Sequence, residues 1–507
     1  MTDGKRLGPA VQLAILIAVA IAVRVIVVIS LSRFPWFAQP NADSAVYDRL
    51  AKAFANGDFL LGTEPLRMSP AYPFLLGVVY RFLGDGLWAI RIVQGLMGLV
   101  LVVLTWDTAR RLMGNVAAML AGAIVALFGP ALFYEAQLLS DAPSAALAAL
   151  ALWSMIRAMD RGETRNSRWI AIGAATGAVA LFRPNAILLT LPLAAAAAWS
   201  GDGAGRARWL RIGAAVMGFV AALSPVAIRN GFATGHATLT STHGGINFYV
   251  GNGPGASGMY QTPDGLSNGT LAVIGPEEQF ALFQDAAERA VGHSLQPADA
   301  DRYWVQRTLE WIGHDPGGWS ALLFWKLRLF WNGASISDIE HYDFTRALDR
   351  ALAKPLVQWW ALMPLALIGT LLALRKRGPA AVVALFNLSW CAGLVLIFVA
   401  DRYRLPALSG LAVTAVLSLQ QVTAILVNGS RRARTTLVAI AVATLVLAWP
   451  VRISTSVDEL WFRLGTGYER AGRTNEARGA YFYAVKTAPE NVAARQALER
   501  LGGSPPR

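Results

Sequence analysis

The stretch PAVQLAILIAVAIAVRVIVVISLSRFPWFAQPNADSAVYDRLAKAFANGD, residues 9–58, joins a long apolar run to a polar, amphipathic segment. Residues 9–31 carry a single charge, Arg24, and are long enough to cross about 30 Å of hydrocarbon as a helix. We expect Arg24 to snorkel toward the outer interface. Residues 43–56 repeat apolar side chains at helical spacing and begin with Asp43, so we expect them to lie along the membrane surface.

The rest of the chain continues this pattern. Its 507 residues are 55% hydrophobic and 15% charged, whereas soluble domains average about 25% charged residues. The composition therefore predicts an all-α, polytopic membrane protein with eleven transmembrane helices. Segments 70–84 and 318–333 are shorter or interrupted, which favours interfacial or re-entrant helices. The predicted spans are 9–31, 87–106, 115–133, 142–158, 169–182, 185–200, 210–228, 355–374, 379–400, 405–427 and 435–450.

The net charge of +13 reflects topology rather than a nucleic-acid partner. Basic clusters fall at every second boundary between spans, which is the positive-inside pattern and predicts a cytoplasmic N-terminus. The opposite face then carries segments 32–86 and 134–141, a loop region over 229–354, and the tail after residue 451. The basic clusters are Lys5/Arg6, Arg110/Arg111, Arg157 to Arg168, Arg206 to Arg211, Arg375 to Arg377 and Arg431 to Arg434.

Carboxylates lie beside predicted helix ends on the outer face. Asp43 and Asp141 each open a predicted helix, where an Asp is commonly an N-cap, and Glu135 ends the third span. The alternative is that Asp43 and Asp141 converge at the membrane surface, where one of them accepts a proton from an attacking hydroxyl. The sequence leaves both alternatives open.

Arginines also lie on the outer face, where the positive-inside rule makes them scarce. Arg183 lies in LFRPNAILL, and Arg402 and Arg404 lie in FVADRYRLPAL. Guanidinium groups pair well with phosphate oxygens, so these three residues are candidates to bind the phosphate of a lipid carrier. The alternatives are interfacial anchoring, or pairing of Asp401 with one of the arginines.

The outer loop contains the glycine-rich segment STHGGINFYVGNGPGASGMY, residues 241–260. It matches no phosphate-binding loop, and we expect it to form either a plain turn region or part of a roof over a surface cavity. Asn247 and Asn252 are its candidate polar contacts. The histidines at 236, 243, 293, 314 and 341 show no ligand spacing, so no metal site is predicted on them.

The C-terminal tail carries the most specific motif of the chain. Eight positions match the 34-residue tetratricopeptide pattern, with Tyr481 replacing Phe. One repeat cannot bury its own apolar face, so this tail, residues 452–507, should dock on the membrane domain 1–451, on a second copy, or on a protein partner. The matching residues are Trp461, Leu464, Gly465, Tyr468, Ala477, Tyr481, Ala484 and Pro489.

Several segments in order resemble the GT-C glycosyltransferases of the family 39 type, which includes protein mannosyltransferases and aminoarabinose transferases. The segments are NADSAVYDRLAKAFANGDFL, SPAYPFLLGVVYRFLG, FYEAQLLSDAPSAAL, PVAIRN, GGINFYVGNGPGASGMY and DRYRLPAL. The resemblance covers about residues 9–410, and some of the bacterial members that this chain resembles carry tetratricopeptide tails.

This resemblance implies a membrane enzyme that moves a sugar from a polyprenyl-phosphate donor to a hydroxyl or amine of a lipid, glycan or protein acceptor. It implies a catalytic role for Asp43 and Asp141, and donor-phosphate binding by Arg402 and Arg404. Arg183 is a further candidate for phosphate binding because of its positive charge at an outer helix end. Glu135, Tyr403, Asn247 and Asn252 are further candidates to contact substrate. A bacterial inner membrane, with a periplasmic site and tail, is implied.

Two questions stay open at this level. Some branches of such enzymes work without a divalent metal, so metal dependence is not decided. A transporter or flippase of a lipid-linked glycan is the alternative function. Transporters often place ionisable residues near the middle of the bilayer and contain repeated halves, and the scarcity of mid-span charges and the lack of an internal repeat in this sequence argue against that alternative.

Overall fold

The computed structural model describes residues 8–62, 66, 68–201, 205–234, 243–261, 276–375, 377–453 and 456–504. Over these residues the chain is helical, with one isolated bridge between Phe128 and Val357 in place of a sheet. The predicted all-α fold is therefore confirmed. The predicted basic pair Lys5/Arg6 and His236 lie outside the described residues.

Helices occupy the apolar runs of the sequence, and further, more polar helices lie in the outer loop region and in the tail. In chain order they are α1 (Pro9–Leu31), α2 (Pro35–Ala38), α3 (Ala42–Ala55), α4 (Ala71–Leu83), α5 (Leu87–Met113), α6 (Asn115–Ala126), α7 (Gly129–Glu135), α8 (Asp141–Asp160), α9 (Asn166–Phe182), α10 (Thr190–Trp199), α11 (Arg206–Thr234), α12 (Gly244–Asn252), α13 (Pro276–Val291), α14 (Pro297–His314), α15 (Pro316–Trp331), α16 (Tyr342–Leu348), α17 (Trp359–Ala373), α18 (Pro379–Val395), α19 (Asp401–Arg404), α20 (Leu408–Asn428), α21 (Arg431–Ala448), α22 (Val457–Arg470), α23 (Thr474–Thr487) and α24 (Val492–Arg500).

Among the described residues, five helical segments are long and apolar enough to cross a membrane. Further apolar helices of 10–17 residues accompany them, including α6, α17 and α18. Each of the eleven predicted spans contains a helix, while the number of crossings stays a prediction. The five long segments are Pro9–Leu31, Leu87–Met113, Asp141–Asp160, Arg206–Phe232 and Asp401–Asn428.

The predicted span 115–133 is broken in two. Helix α6 ends at Ala126, and α7 begins at Gly129 with Pro130 in its first turn. The freed backbone groups bond elsewhere: the N–H of Gly129 donates to the carbonyl of Val357 at 2.9 Å, and the N–H of Val357 donates to the carbonyl of Leu127 at 2.9 Å. Because backbone groups in an apolar interior must be paired, this exchange permits the break, and α7 leads the chain toward Asp141.

The C-terminal helices form a small unit of their own. Helices α22 and α23 are antiparallel neighbours, and Gly465 of α22 lies against the ring of Tyr481, where a Cβ would come within 2.7 Å. The core of this unit also includes Ala477 and Ala484 of α23 and Ala497 of α24. The tetratricopeptide assignment and the domain boundary at 451 stay predictions.

This tail docks on the membrane domain, the first of the three predicted alternatives. Trp461 of α22 packs edge-on against Phe344, with ring centroids 5.1 Å apart. The side chain of Gln39 donates to the carbonyl of Arg470 at 2.9 Å, and Arg463 donates to the carbonyl of Ile339 at 3.4 Å. The tail therefore contacts both the segment before α3 and the segment before α16.

Helices α9 and α11 pack with their backbones in close approach. Gly173 and Gly177 of α9 face α11, and Gly218 of α11 faces α9. A Cβ built at Gly218 would lie 1.9 Å from the carbonyl oxygen of Ile170. Small residues at helix interfaces of membrane proteins permit such contact, so this glycine is required by packing.

Gly218→Ala is expected to destabilise the protein, because the added methyl group must displace the carbonyl of Ile170. Overpacking of this kind costs about 1–3 kcal/mol. The matched control is Gly213→Ala on the same helix, since a Cβ there meets no atom within 4 Å. Thermal unfolding of both variants in detergent measures the difference, and equal melting temperatures would contradict the close packing.

Candidate active site

Asp43 lies in the first turn of α3, but it does not cap the helix. The N-cap is Asn41, whose side chain donates instead to Glu340 at 2.9 Å. Ala42 has φ +43°, a left-handed conformation that is unusual for a residue with a Cβ. The Asp43 carboxylate accepts a hydrogen bond from Nη1 of Arg402 at 3.1 Å. The N-cap alternative for Asp43 is therefore wrong.

Arg402 uses all three of its nitrogen atoms. Besides Asp43, it donates from Nε to Asp338 at 2.7 Å and from Nη2 to the hydroxyl of Tyr403 at 3.0 Å. The Arg402 side chain is 7% exposed, that of Asp338 is 3% exposed, and that of Asp43 is 18% exposed. Asp43 is thus the more accessible of the two carboxylates that bind Arg402.

A second ion pair lies against the first. Asp141, the first residue of α8, is fully buried and pairs with Arg183, which follows the last residue of α9. The Arg183 guanidinium lies 4.3 Å from the ring centroid of Tyr403, and that of Arg402 lies 4.8 Å from the same ring. The Tyr403 ring therefore contacts both cations. These five predicted site residues, Asp43, Asp141, Arg183, Arg402 and Tyr403, form one cluster.

The cluster contains more acid than base: three carboxylates, of Asp43, Asp141 and Asp338, with the guanidinium groups of Arg183 and Arg402. Burial raises the pKa of the Asp43 carboxyl above its ordinary value. The positive charge of Arg402 opposes this rise, whereas the negative charge of Asp338 adds to it. An aspartate with a raised pKa beside arginines is suited to accept a proton near an anionic ligand.

Arg404 faces away from the cluster. It is fully buried, pairs with Asp401, and donates to the carbonyls of Asn332 and Ala334 at 2.8 Å each. Its guanidinium also lies 4.2 Å from the Trp359 ring. The predicted pairing of Asp401 with an arginine is thus found here, and these bonds fix the chain that leads to Asp338.

Glu135 is also brought elsewhere, to α1. Its carboxylate accepts from Nη2 of Arg24 at 2.9 Å, and both side chains are 8% exposed. Since Arg24 points into the protein, the expectation that it snorkels is wrong. Arg91 and Gln94 of α5 hold the adjacent loop by donating to the carbonyls of Ala136 and Gln137 at 2.8 and 2.7 Å.

The loop residues Asn247 and Asn252 lie on α12 and make no bond to the cluster within the described residues. Asn252 is buried and accepts from Lys326 at 2.7 Å and from the Trp319 indole at 3.1 Å. Burial lowers the pKa of Lys326 to about 7. Asn247 is half-buried on the same helix. Asn252 therefore joins α12 to α15.

Sequence reasoning missed Asp338. It lies in SISDIEH, residues 335–341, between α15 and α16, and was one of several acids in a long predicted loop. A carboxylate in a loop has no periodicity to mark it. Its position on the predicted outer face was the one available signal. Among the described residues, no group of three or more histidine, cysteine or acidic side chains is arranged to hold a metal ion.

Comparison with known proteins agrees with the resemblance seen in the sequence. Residues 65–228 match the model of the dolichyl-phosphate-mannose–protein mannosyltransferase family. No curated protein matches the chain.

Two solved structures are similar to this chain at low identity. The apo oligosaccharyltransferase of Archaeoglobus fulgidus is 13% identical with a TM-score of 0.46, over 93% of this chain and 59% of that one. ArnT of Cupriavidus metallidurans, bound to undecaprenyl phosphate, is 18% identical with a TM-score of 0.33, over 79% of this chain and 77% of that one. The chain thus spans less than two thirds of the archaeal protein.

The family match begins after Asp43, includes Asp141 and Arg183, and ends before Arg402. The resemblance to glycosyltransferases of the protein mannosyltransferase type is therefore confirmed over residues 65–228.

Proposed function

We propose that this protein is a membrane glycosyltransferase that moves a sugar from a polyprenyl-phosphate donor to an acceptor hydroxyl or amine. The observation that carries the proposal is the cluster of Asp43, Asp141, Arg183 and Arg402 around Tyr403 at the ends of apolar helices. It combines a proton acceptor with two cations beside predicted hydrocarbon. Transfer of a sugar from a lipid-linked phosphate would use the cations to bind the phosphate and the proton acceptor to deprotonate the acceptor group.

Arg402 and Arg183 bind the donor phosphate in this proposal. Both guanidinium groups lie within 4.8 Å of the Tyr403 ring centroid, which places the two cations in the same part of the site. Arginine binds phosphate oxygens with parallel N–H donors, and the low dielectric of a buried site strengthens the attraction. The same charges stabilise the phosphate as it leaves the sugar.

Asp43 is the general base. A glycosyl phosphate already carries a good leaving group, so the enzyme must orient the acceptor and remove its proton. Asp43 is the most exposed carboxylate of the cluster, and burial raises its pKa. Direct attack by an acceptor that Asp43 deprotonates would invert the anomeric centre.

The remaining predicted residues take supporting roles. Asp141 holds Arg183 in place through their ion pair, and the Tyr403 ring packs against both cations. Arg404 shapes the backbone around Asn332 rather than contacting phosphate. Glu135, Asn247 and Asn252 act further from the reacting atoms.

The site lies on the non-cytoplasmic face in this proposal. Asp141 begins α8, and Asp160 at its other end pairs with Arg111 of the basic pair Arg110/Arg111. Twenty residues of helix are about 30 Å long, which is the thickness of the hydrocarbon core. Basic residues mark the cytoplasmic side, so the cluster belongs on the other side. The bacterial inner membrane is proposed from the family resemblance alone.

One observation favours the alternative, transport of a lipid-linked glycan. The Arg24–Glu135 pair buries an ionisable residue of a membrane-spanning helix, and such residues often mark a transport pathway. A transfer assay separates the two functions, because a transporter moves the glycan without breaking its bond to phosphate.

Asp43→Asn is expected to lower sugar transfer by about 10²–10⁴-fold, because the amide cannot accept the acceptor proton. The measurement is transfer from a panel of radiolabelled polyprenyl-phosphate sugars in membranes with matched protein abundance. Asp48→Asn is the control: Asp48 lies on the same helix and accepts from Tyr80 at 2.7 Å, away from the cluster. Equal transfer by wild type and Asp43→Asn would remove the base from the proposal. Glycan crossing the bilayer without donor consumption would favour the transporter.

The acid limb of the pH profile should report Asp43. The unprotonated carboxylate is the base, so transfer falls as the pH drops through its pKa. Burial raises that pKa above the ordinary 3.8, which moves the loss of activity to higher pH than for an exposed aspartate. The profile of kcat/KM for the free enzyme measures this limb. A limb at 3.8 or below would contradict a buried base.

A further inference from the structure

We infer that Asp338 is a positioning residue that holds Arg402 by its Nε while the donor phosphate replaces Asp43 on Nη1. This inference deepens the proposed function and rests on it. It assigns opposite effects to two carboxylates that bind the same guanidinium group. Asp338 keeps the arginine in place, and Asp43 competes with the ligand.

The surroundings of the two carboxylates differ. Asp338 accepts from Arg402 with one oxygen and from the N–H of Ile339 at 2.9 Å with the other. Its side chain is 3% exposed, so a phosphate cannot reach that side of Arg402 without dismantling the loop. Asp43 is 18% exposed, and its carboxylate bonds to Arg402 among the described residues. The Nη1 side of Arg402 is therefore more accessible than the Nε side.

The backbone around Asp338 is held from several directions. The carbonyl of Ile336 accepts from the N–H of Asp401 at 2.7 Å, and the carbonyl of Ile339 accepts from Arg463 of the tail. Glu340 accepts from Asn41. These contacts fix the segment on both sides of Asp338, so the Asp338–Arg402 bond can persist while another partner of Arg402 changes.

Exchange at Nη1 links donor binding to the activation of the base. Asp43 and Asp338 neutralise the charge of Arg402, so an arriving phosphate must compete with Asp43 for the guanidinium. Once phosphate takes that place, Asp43 loses the partner that lowers its pKa and turns to the acceptor as a stronger base. No covalent bond changes in this step.

The test is the affinity of the full-length purified protein for undecaprenyl phosphate, a carrier phosphate without sugar. Asp43→Asn should bind it about tenfold more tightly than wild type, because the competing anion is gone. Asp338→Ala should bind it about tenfold more weakly, because Arg402 loses its support. Asp338→Asn, which keeps an oxygen acceptor, should lie between wild type and Asp338→Ala.

The control is Asp343→Asn. Asp343 lies on the nearby helix α16, 3.9 Å from Arg346, and does not contact Arg402 among the described residues. Its removal changes local charge without changing the support of Arg402, so affinity should stay near that of wild type. Elution volume and melting temperature should confirm that each variant is folded.

The steady-state kinetics provide a second readout. Asp338→Ala should have a raised KM for the donor and a kcat close to that of wild type. Asp43→Asn should have a strongly lowered kcat, so its transfer rate should stay low even at saturating donor. A residue needed only for folding would not produce this split.

The outcomes separate the inference from the function on which it rests. If both Asp43→Asn and Asp338→Ala tighten binding, charge alone governs affinity and Asp338 is not a positioning residue. If Asp43→Asn weakens binding, Asp43 helps to hold the phosphate and the exchange is wrong. In both cases the proposed donor class stands. If the wild type binds no undecaprenyl phosphate while it is folded, the donor class and the inference fail together.

Discussion

The guanidinium group of Arg402 is the point on which the site depends. Its three nitrogen atoms bind Asp43, Asp338 and Tyr403, so residues distant in sequence must meet at one place. The positions of these partners are tightly constrained, because an arginine buried without them would retain an uncompensated charge, which would destabilise the protein by about 3–5 kcal/mol. The surrounding helices are therefore required to end close to this point: α3 begins there, α19 begins there, and the chain between α15 and α16 passes beside it.

Arg402 and Arg404 are two residues apart but have different roles, because each buried guanidinium group has found a different set of partners. Arg402 points to the cluster, whereas Arg404 points to the backbone carbonyls of Asn332 and Ala334 and to Asp401. The bonds of Arg404 to the two backbone carbonyls fix the loop that begins at Asn332. That loop delivers Asp338 to Arg402. Support of the backbone by one arginine is thus a condition for the ligand-binding geometry of the other.

Much of the fold was predictable because apolar length is a strong signal. Each of the eleven predicted spans contains a helix, and the convergence of Asp43 and Asp141 near arginines was one of the two alternatives that the sequence allowed. The predictions that were wrong or missing depended on tertiary contacts, which the sequence does not show. Arg24 looked like a snorkelling residue because its partner, Glu135, is 111 residues away. The break after Ala126 depends on backbone exchange with Val357, and Asp338 had no pattern to distinguish it from other loop acids. Arg402 and Arg404 were equivalent in the sequence, since their directions follow from the turn that carries them.

The position of the C-terminal tail adds a structural constraint on the same site. In its first helix, α22, Trp461 packs against Phe344 of α16 and Arg463 donates to the carbonyl of Ile339, the residue after Asp338. The tail also binds Gln39, just before the turn that leads to Asp43. Both acidic partners of Arg402 are therefore attached to chain segments that the tail touches. A single helical repeat cannot bury its apolar face alone, and here the covering surface is the part of the membrane domain that orients the cluster. The burial that stabilises the tail consequently also stabilises the two segments that place carboxylates on Arg402.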